Sequence, residues 1–135
     1  MSFGKGVKFM FNRLYAICLL VENFEESLKF YKNVLSLKVK SQEGNQFAAF
    51  DLKGTEMAIF QKDGATAMFP KKFMGTGGGV NLGFQVKDVG QVCRELKSKG
   101  VEVFEGPKIT PWGQKVAYFK DPDGNIWEIS EPFEE

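Results

Sequence analysis

Two stretches 65 residues apart carry the same order of residue types, and this repeat narrows the possible folds more than any other feature. Residues 13–21, RLYAICLLV, have the apolar density of a buried strand. Asn23 follows as an N-cap with Glu26 at the third helical position, a capping-box arrangement. Phe24, Leu28, Tyr31 and Leu35 then recur along one helical face. Three short strands are predicted beyond it, LKVKSQ from 37, QFAAFDL from 46 and EMAIFQ from 56, punctuated by Gly44, Gly54 and Gly64. The second half repeats this order. A strand VNLGFQV occupies 80–86, Asp88 caps a helix with Gln91 at the third position, and Val89, Val92, Cys93 and Leu96 form its apolar stripe. Gly100 ends the helix, and strands follow as VEVFE from 101, QKVAYFK from 114 and NIWEIS from 125. Val21 and Val86 each precede their cap by two residues, which sets the register of the repeat. Each half therefore reads βαβββ. The expectation is an α+β chain, one domain over 1–135, with modules 13–63 and 80–131 joined by a flexible linker at 64–79.

Bulk properties exclude several classes. A net charge of +1 gives no field for nucleic acid or anionic lipid, and no apolar run is long enough for a transmembrane helix. The N-terminal MSFGKGVKFMFNR lacks the apolar core of a signal peptide, so a cytoplasmic protein is expected. Cys18 and Cys93 belong to no CxxC pair and read as free, buried thiols. With no histidine and two cysteines, a zinc site is not expected. The glycines of GTGGG, 75–79, lead into a strand rather than a helix and lack a GK[ST] ending, so a phosphate loop is only a remote alternative. Fourteen phenylalanines point to aromatic-rich packing or an aromatic-lined cavity.

Near the C-terminus, KDPDGNIWEIS places an Asp-Pro-Asp-Gly turn before a short apolar strand that carries one carboxylate, Glu128. Asp121 and Asp123 resemble a pair of catalytic acids, but the turn accounts for both through backbone hydrogen bonds. Together, LLVENFEESLKFYKNVLSLKV at 19–39 and PWGQKVAYFKDPDGNIWEIS at 111–130 resemble the vicinal oxygen chelate superfamily of glyoxalases, bleomycin-resistance proteins and extradiol dioxygenases. The resemblance spans 13–131 and implies two modules curled into an incomplete barrel around a cleft. It also implies four metal-ligand positions, which fall on Ala16, Ala58, Asn81 and Glu128. Two methyl groups, one amide and one carboxylate make a poor transition-metal site. A homodimer, the superfamily's habit, lends only copies of the same residues. No metal and no cofactor are expected.

Strand alternation sorts the cleft from the core. If Ala16 faces the cleft, so do Leu14, Cys18 and Leu20, while Tyr15, Ile17, Leu19 and Val21 meet the helix. Asn81, Gly83, Gln85, Tyr118, Ile126, Glu128 and Ser130 share the cleft face of the second module, and Phe60 joins the first. Trp112, in ITPWGQ, reads either as a lid over the cleft or as a packing anchor. The candidate ligand-binding set is Glu128, Tyr118, Asn81, Gln85, Trp112, Phe60 and Cys18. A carboxylate beside aromatic faces suits a cationic or aromatic small molecule. Cys18 has no imidazole to activate it as a nucleophile. The leading expectation is metal-independent binding or sequestration. The alternatives are a lyase, isomerase or dioxygenase with Glu128 as general base or an atypical metal site, and a degenerate module serving only as a dimer or regulatory partner.

Overall fold

A computed structural model describes residues 14–68, 70–75, 77 and 80–132. In the first half, β1 (Ala16–Val21) leads into α1 (Phe24–Leu28), which continues as a π-helix (Lys29–Val34). β2 (Val39–Glu43), β3 (Phe47–Phe50) and β4 (Glu56–Gln61) complete a four-stranded sheet in the order β1-β4-β3-β2. The second half repeats the plan with β5 (Asn81–Gln85), α3 (Val89–Ser98), β6 (Val103–Ile109), β7 (Lys115–Lys120) and β8 (Ile126–Ser130), in the order β5-β8-β7-β6. In each sheet the first and last strands pair in parallel and the remaining pairs are antiparallel. The result is an α+β fold of two open mixed sheets, without a closed barrel. Between the halves lie the short helix α2 (Lys62–Ala65) and a 3-10 turn (Lys71–Phe73). Arg13 and most of the GTGGG run lie outside the described residues.

Both predicted caps form. Asn23 Oδ1 accepts from the Glu26 amide and Asp88 Oδ1 from the Gln91 amide, each at 3.0 Å. The first helical amide of each module is held from elsewhere: Phe24 N–H donates to Gln61 Oε1 at 2.8 Å and Val89 N–H to Glu131 Oε2 at 3.0 Å. Each last strand thus ends by tethering the helix start of its own module, which fixes helix against sheet.

The helical stripe departs from its predicted period. The Leu35 amide bonds to the Phe30 carbonyl, a five-residue step that widens the turn. Phe24, Ser27, Phe30 and Tyr31 are buried as a result, whereas Leu28 and Leu35 are only partly so. The helix ends also differ. Gly100, at φ 81, closes α3 with Val101 N–H bonded to the Leu96 carbonyl, the usual left-handed C-terminal motif. Ser36 fills the matching place after the π-helix at φ 59, where a side chain is strained.

Apolar residues of both modules merge into one core. Val21, Phe24, Tyr31, Phe50, Met57 and Ile59 meet Cys93, Leu96, Phe119, Trp127 and Ile129. Tyr15, expected against the helix, is exposed because it precedes β1. The modules are joined by the Asp-Pro-Asp-Gly turn. Asp121, 6% exposed, accepts from the Asp123 amide (3.0 Å), the Asn125 amide (2.8 Å), Asn125 Nδ2 (2.8 Å) and the Tyr31 hydroxyl. Trp127 Nε1 donates to the Tyr31 oxygen at 3.1 Å. Asp123 accepts from the Glu22 amide at 3.0 Å and the Ser27 hydroxyl at 3.2 Å. The two acids are therefore structural, as the turn implied, and they also bind module to module. Gly77 lies so close to the backbone of this turn that a side chain there would collide with it.

Two stability outcomes follow from this geometry. Ser36→Gly relieves the left-handed strain and should raise unfolding free energy by about 1 kcal/mol in urea denaturation. Tyr31→Phe strips Asp121 of one donor and Trp127 of its acceptor, and should lower it by about 1–3 kcal/mol.

Candidate functional site

The face of the second sheet that the sequence assigns to the cleft is centred on Glu128, which β8 places between Gly83 on β5 and Tyr118 on β7. The antiparallel register sets Tyr118 directly opposite Glu128, and its hydroxyl donates to Glu128 Oε1 at 2.7 Å. Glu128 Oε2 lies on the Gly83 side, where the missing side chain leaves it room, and no described residue donates a hydrogen bond to it. Asn81 and Gln85 flank Gly83 on the same face, and Gln85 is paired with Ser130. Trp127 turns to the opposite face and stacks on Phe84 at 4.6 Å. Among the described residues, Tyr118 is therefore the aromatic beside Glu128 on its own face.

Sequence reasoning missed the aromatic and cationic wall next to this pair. Phe104 packs against Tyr118 at 6.3 Å, Lys108 Nζ stands 5.9 Å from the Tyr118 ring, and Lys120 Nζ stands 5.4 Å from the Phe104 ring. β6 supplies Phe104 and Lys108, and its register with β7 shifts twice between Val103 and Lys108. Simple alternation fails across such bulges, so period-2 reasoning could not assign these side chains to a face.

The other sheet carries the remaining candidates. Cys18 pairs with Ala58 and Ala16 with Glu56, which puts four side chains on the cleft face of β1 and β4. Ala16, Cys18, Ala49 and Ala58 are all small, and with Phe47, Lys40 and Glu56 they line a hollow of about 220 Å³. Lys40 and Glu56 form an ion pair across it at 3.1 Å, and Phe60 packs edge-to-face on Phe47 at 5.7 Å. Cys18 is exposed rather than buried as expected, because its neighbours on this face are alanines. Partial burial still pushes its thiol pKa up, which disfavours the nucleophilic thiolate. Trp112 sits on the β6–β7 hairpin, 62% exposed, with its indole N–H donating to Gln114 Oε1 at 3.2 Å. The structure thus brings Glu128 and Tyr118 into contact, sets Asn81 and Gln85 beside them, and places Cys18 and Phe60 on a separate sheet.

Neither face offers a cluster of metal donors. Ala16 and Ala58 present methyl groups, Asn81 one amide, and Glu128 a carboxylate already bonded to Tyr118. Among the described residues, no three cysteine, aspartate or glutamate side chains converge. This donor set does not fit the divalent metal of the vicinal oxygen chelate enzymes.

The hydrogen bond to Glu128, followed by burial, pushes the Tyr118 pKa up to about 12. Since the folded value exceeds that of free tyrosine, about 10, the bond contributes fully below pH 10 and is lost as pH rises through 12. Ultraviolet titration should find one tyrosine ionising near pH 12, and Glu128→Gln should return it toward the ordinary value.

Comparison with known proteins agrees with this architecture. A family model for the glyoxalase-like domain matches residues 14–134. The chain is 31% identical over 123 residues to the uncharacterized protein YraH of Bacillus subtilis, covering 87% of this chain and 96% of that one. Its fold resembles a glyoxalase/bleomycin resistance protein/dioxygenase from Nocardioides, with TM-score 0.80, 22% identity, and 95% and 88% of the two chains covered. It also resembles the lactoylglutathione lyase of Agrobacterium tumefaciens, with TM-score 0.71, 20% identity and coverage of 88% and 92%. With the repeat and the two four-stranded sheets in place, this chain belongs to the glyoxalase-like domain family of the vicinal oxygen chelate superfamily.

Proposed function

We propose that this protein binds or sequesters a small molecule without a metal, using Glu128 and its aromatic surroundings as the recognition point. One observation carries this reading. At the four positions where the superfamily places metal ligands stand Ala16, Ala58, Asn81 and a Glu128 whose Oε1 is held by Tyr118. A carboxylate fixed by a phenol and open at Oε2 is suited to an ammonium or other cationic group on an aromatic ligand. The lysines beside Phe104 and Tyr118 limit how much cationic charge the ligand carries, which favours a single positive group directed at Oε2. The hollow between Ala16, Ala49 and Ala58 offers space for an apolar body of modest size.

The two faces lie on different sheets of one chain, so a homodimer that sets the first sheet of one copy over the second sheet of the other would complete the cleft. Exposed Leu14 at the start of β1 and exposed Trp112 on the hairpin supply apolar rim for such a contact. A cytoplasmic location suits the two free cysteines. No described helix is long and apolar enough to cross a membrane.

A second reading, Glu128 as a general base for a lyase or isomerase, is favoured by the open Oε2 beside Gly83. Turnover that survived Glu128→Gln would remove it.

Protein purified without chelator and exposed to zinc, nickel, manganese or iron should retain only substoichiometric metal. In a thermal-shift screen, cationic aromatic compounds should stabilise it saturably, by about 2.7 kcal/mol at a hundredfold excess over Kd. Glu128→Gln should abolish that gain. Stoichiometric metal, or stabilisation indifferent to Glu128→Gln, would overturn the proposal. Sedimentation should give twice the chain mass.

A further inference from the structure

Behind the second sheet, on the side away from Glu128, lies a cavity of about 280 Å³. Its walls are mostly apolar, with Val34 from the π-helical end, Phe84 on β5, Val92 and Leu96 on α3, Phe119 on β7 and Ile129 on β8, and its polar members are Ser36, Gln85, Glu95 and Lys99. An engineered apolar cavity of about 150 Å³ stays dry and takes benzene, so this one has room for a ring or a short alkyl chain.

Two irregularities coincide on one wall, the π-helix Lys29–Val34 and the left-handed Ser36. Each disturbs local backbone geometry, and Val34, Leu35 and Leu37, which flank them, line the cavity opposite Val92 and Leu96 of α3. At the mouth, Lys99 Nζ donates to the Val34 carbonyl at 2.9 Å and makes no ion pair among the described residues. Glu95 lines the same mouth, one helical turn before Lys99. Val34 and Lys99 also line a second, more open cavity of about 570 Å³ that runs toward Phe30, Phe104 and Lys120. One side chain, Lys99, therefore stands between two cavities, bonded to a neutral carbonyl although it carries a full charge.

We infer that this cavity is a second ligand site, which takes a small apolar molecule ending in one carboxylate. The apolar body fills the space before Phe119 and Ile129, and the carboxylate takes a donor of Lys99, exchanging a neutral acceptor for a charged one. Its apolar wall lies on the opposite face of the second sheet from Glu128, because the alternation of β7 and β8 sends Tyr118 and Glu128 to one face and Phe119 and Ile129 to the other; of the residues set beside Glu128, Gln85 also borders it.

Hexanoate and hexan-1-ol serve as probes. In a Trp112→Phe background, hexanoate should change the fluorescence of Trp127, whose ring stacks on the cavity residue Phe84. It should also shift the amide resonances of Val34, Phe84 and Val92, and leave those of Cys18, Glu56 and Asn81 in place. Lys99→Met should weaken hexanoate about tenfold and leave hexanol unchanged, and Lys99→Arg should restore the difference. Val92→Phe, which fills the space, should abolish both. Glu128→Gln should alter neither, so a failed cleft proposal leaves this one standing. No binding up to about 10 mM would overturn it. So would shifts centred on Cys18 and Asn81, or equal loss of acid and alcohol in Lys99→Met.

Discussion

A single buried carboxylate organises the molecule. Asp121 uses both oxygens, accepting two backbone amides and the Asn125 side chain from its own turn and the Tyr31 hydroxyl from the other module. Burying a charge is costly unless every acceptor position is filled, and here four donors fill them. The Tyr31 hydroxyl acts both as donor to Asp121 and as acceptor from Trp127, and burial together with Asp121 pushes its pKa up. The network also sets the register of the final hairpin, because the turn that Asp121 closes delivers β8 to β7. Glu128 faces Tyr118 for that reason, so the candidate site inherits its geometry from a group on the turn.

The same construction separates the scaffold of this chain from the side-chain chemistry it carries. Two four-stranded sheets supply the superfamily's scaffold, while the side chains on their cleft faces decide what chemistry is available. The first sheet presents alanines and a cysteine, which open space, and its Glu56 carboxylate is paired with Lys40. The second presents one carboxylate tied to a phenol, beside lysines and a phenylalanine. In the reading proposed above, such a surface recognises a ligand by shape, aromatic contact and a directed charge rather than by polarising a substrate oxygen on a metal.

Much of this was legible in the sequence because it rests on local rules. Asn23 and Asp88 cap as their side chains require, Gly100 ends α3, and strand alternation puts Tyr118 and Glu128 on one face. What escaped depends on contacts between distant segments. The π-helical step after Leu28 moves Phe30 into the core, and nothing in the spacing of Phe24, Leu28, Tyr31 and Leu35 signals it. The shifted register of β6 brings Phe104 and Lys108 to Tyr118, and the pairing of Lys40 with Glu56 spans two strands that are not adjacent in the sheet order. The turn chemistry marks both acids as structural, but their hold on Tyr31, Glu22 and Ser27 depends on tertiary packing.

A strand has only two faces, and in the second sheet both are committed. Each residue of the Tyr118–Glu128 pair is followed in the chain by one that points the other way, Phe119 and Ile129, into the space enclosed by α3 and the end of the π-helix. Any change in the packing behind the sheet therefore acts on backbone that also carries the Glu128 carboxylate. The sequence carries Ser36 at a left-handed position after a widened turn, a local cost on the wall of that space. The tight Asp121 network lies at one end of the π-helix and the open cavity at the other. Hydrogen bonds are thus concentrated where the modules join, and room is left between α3 and the end of the π-helix.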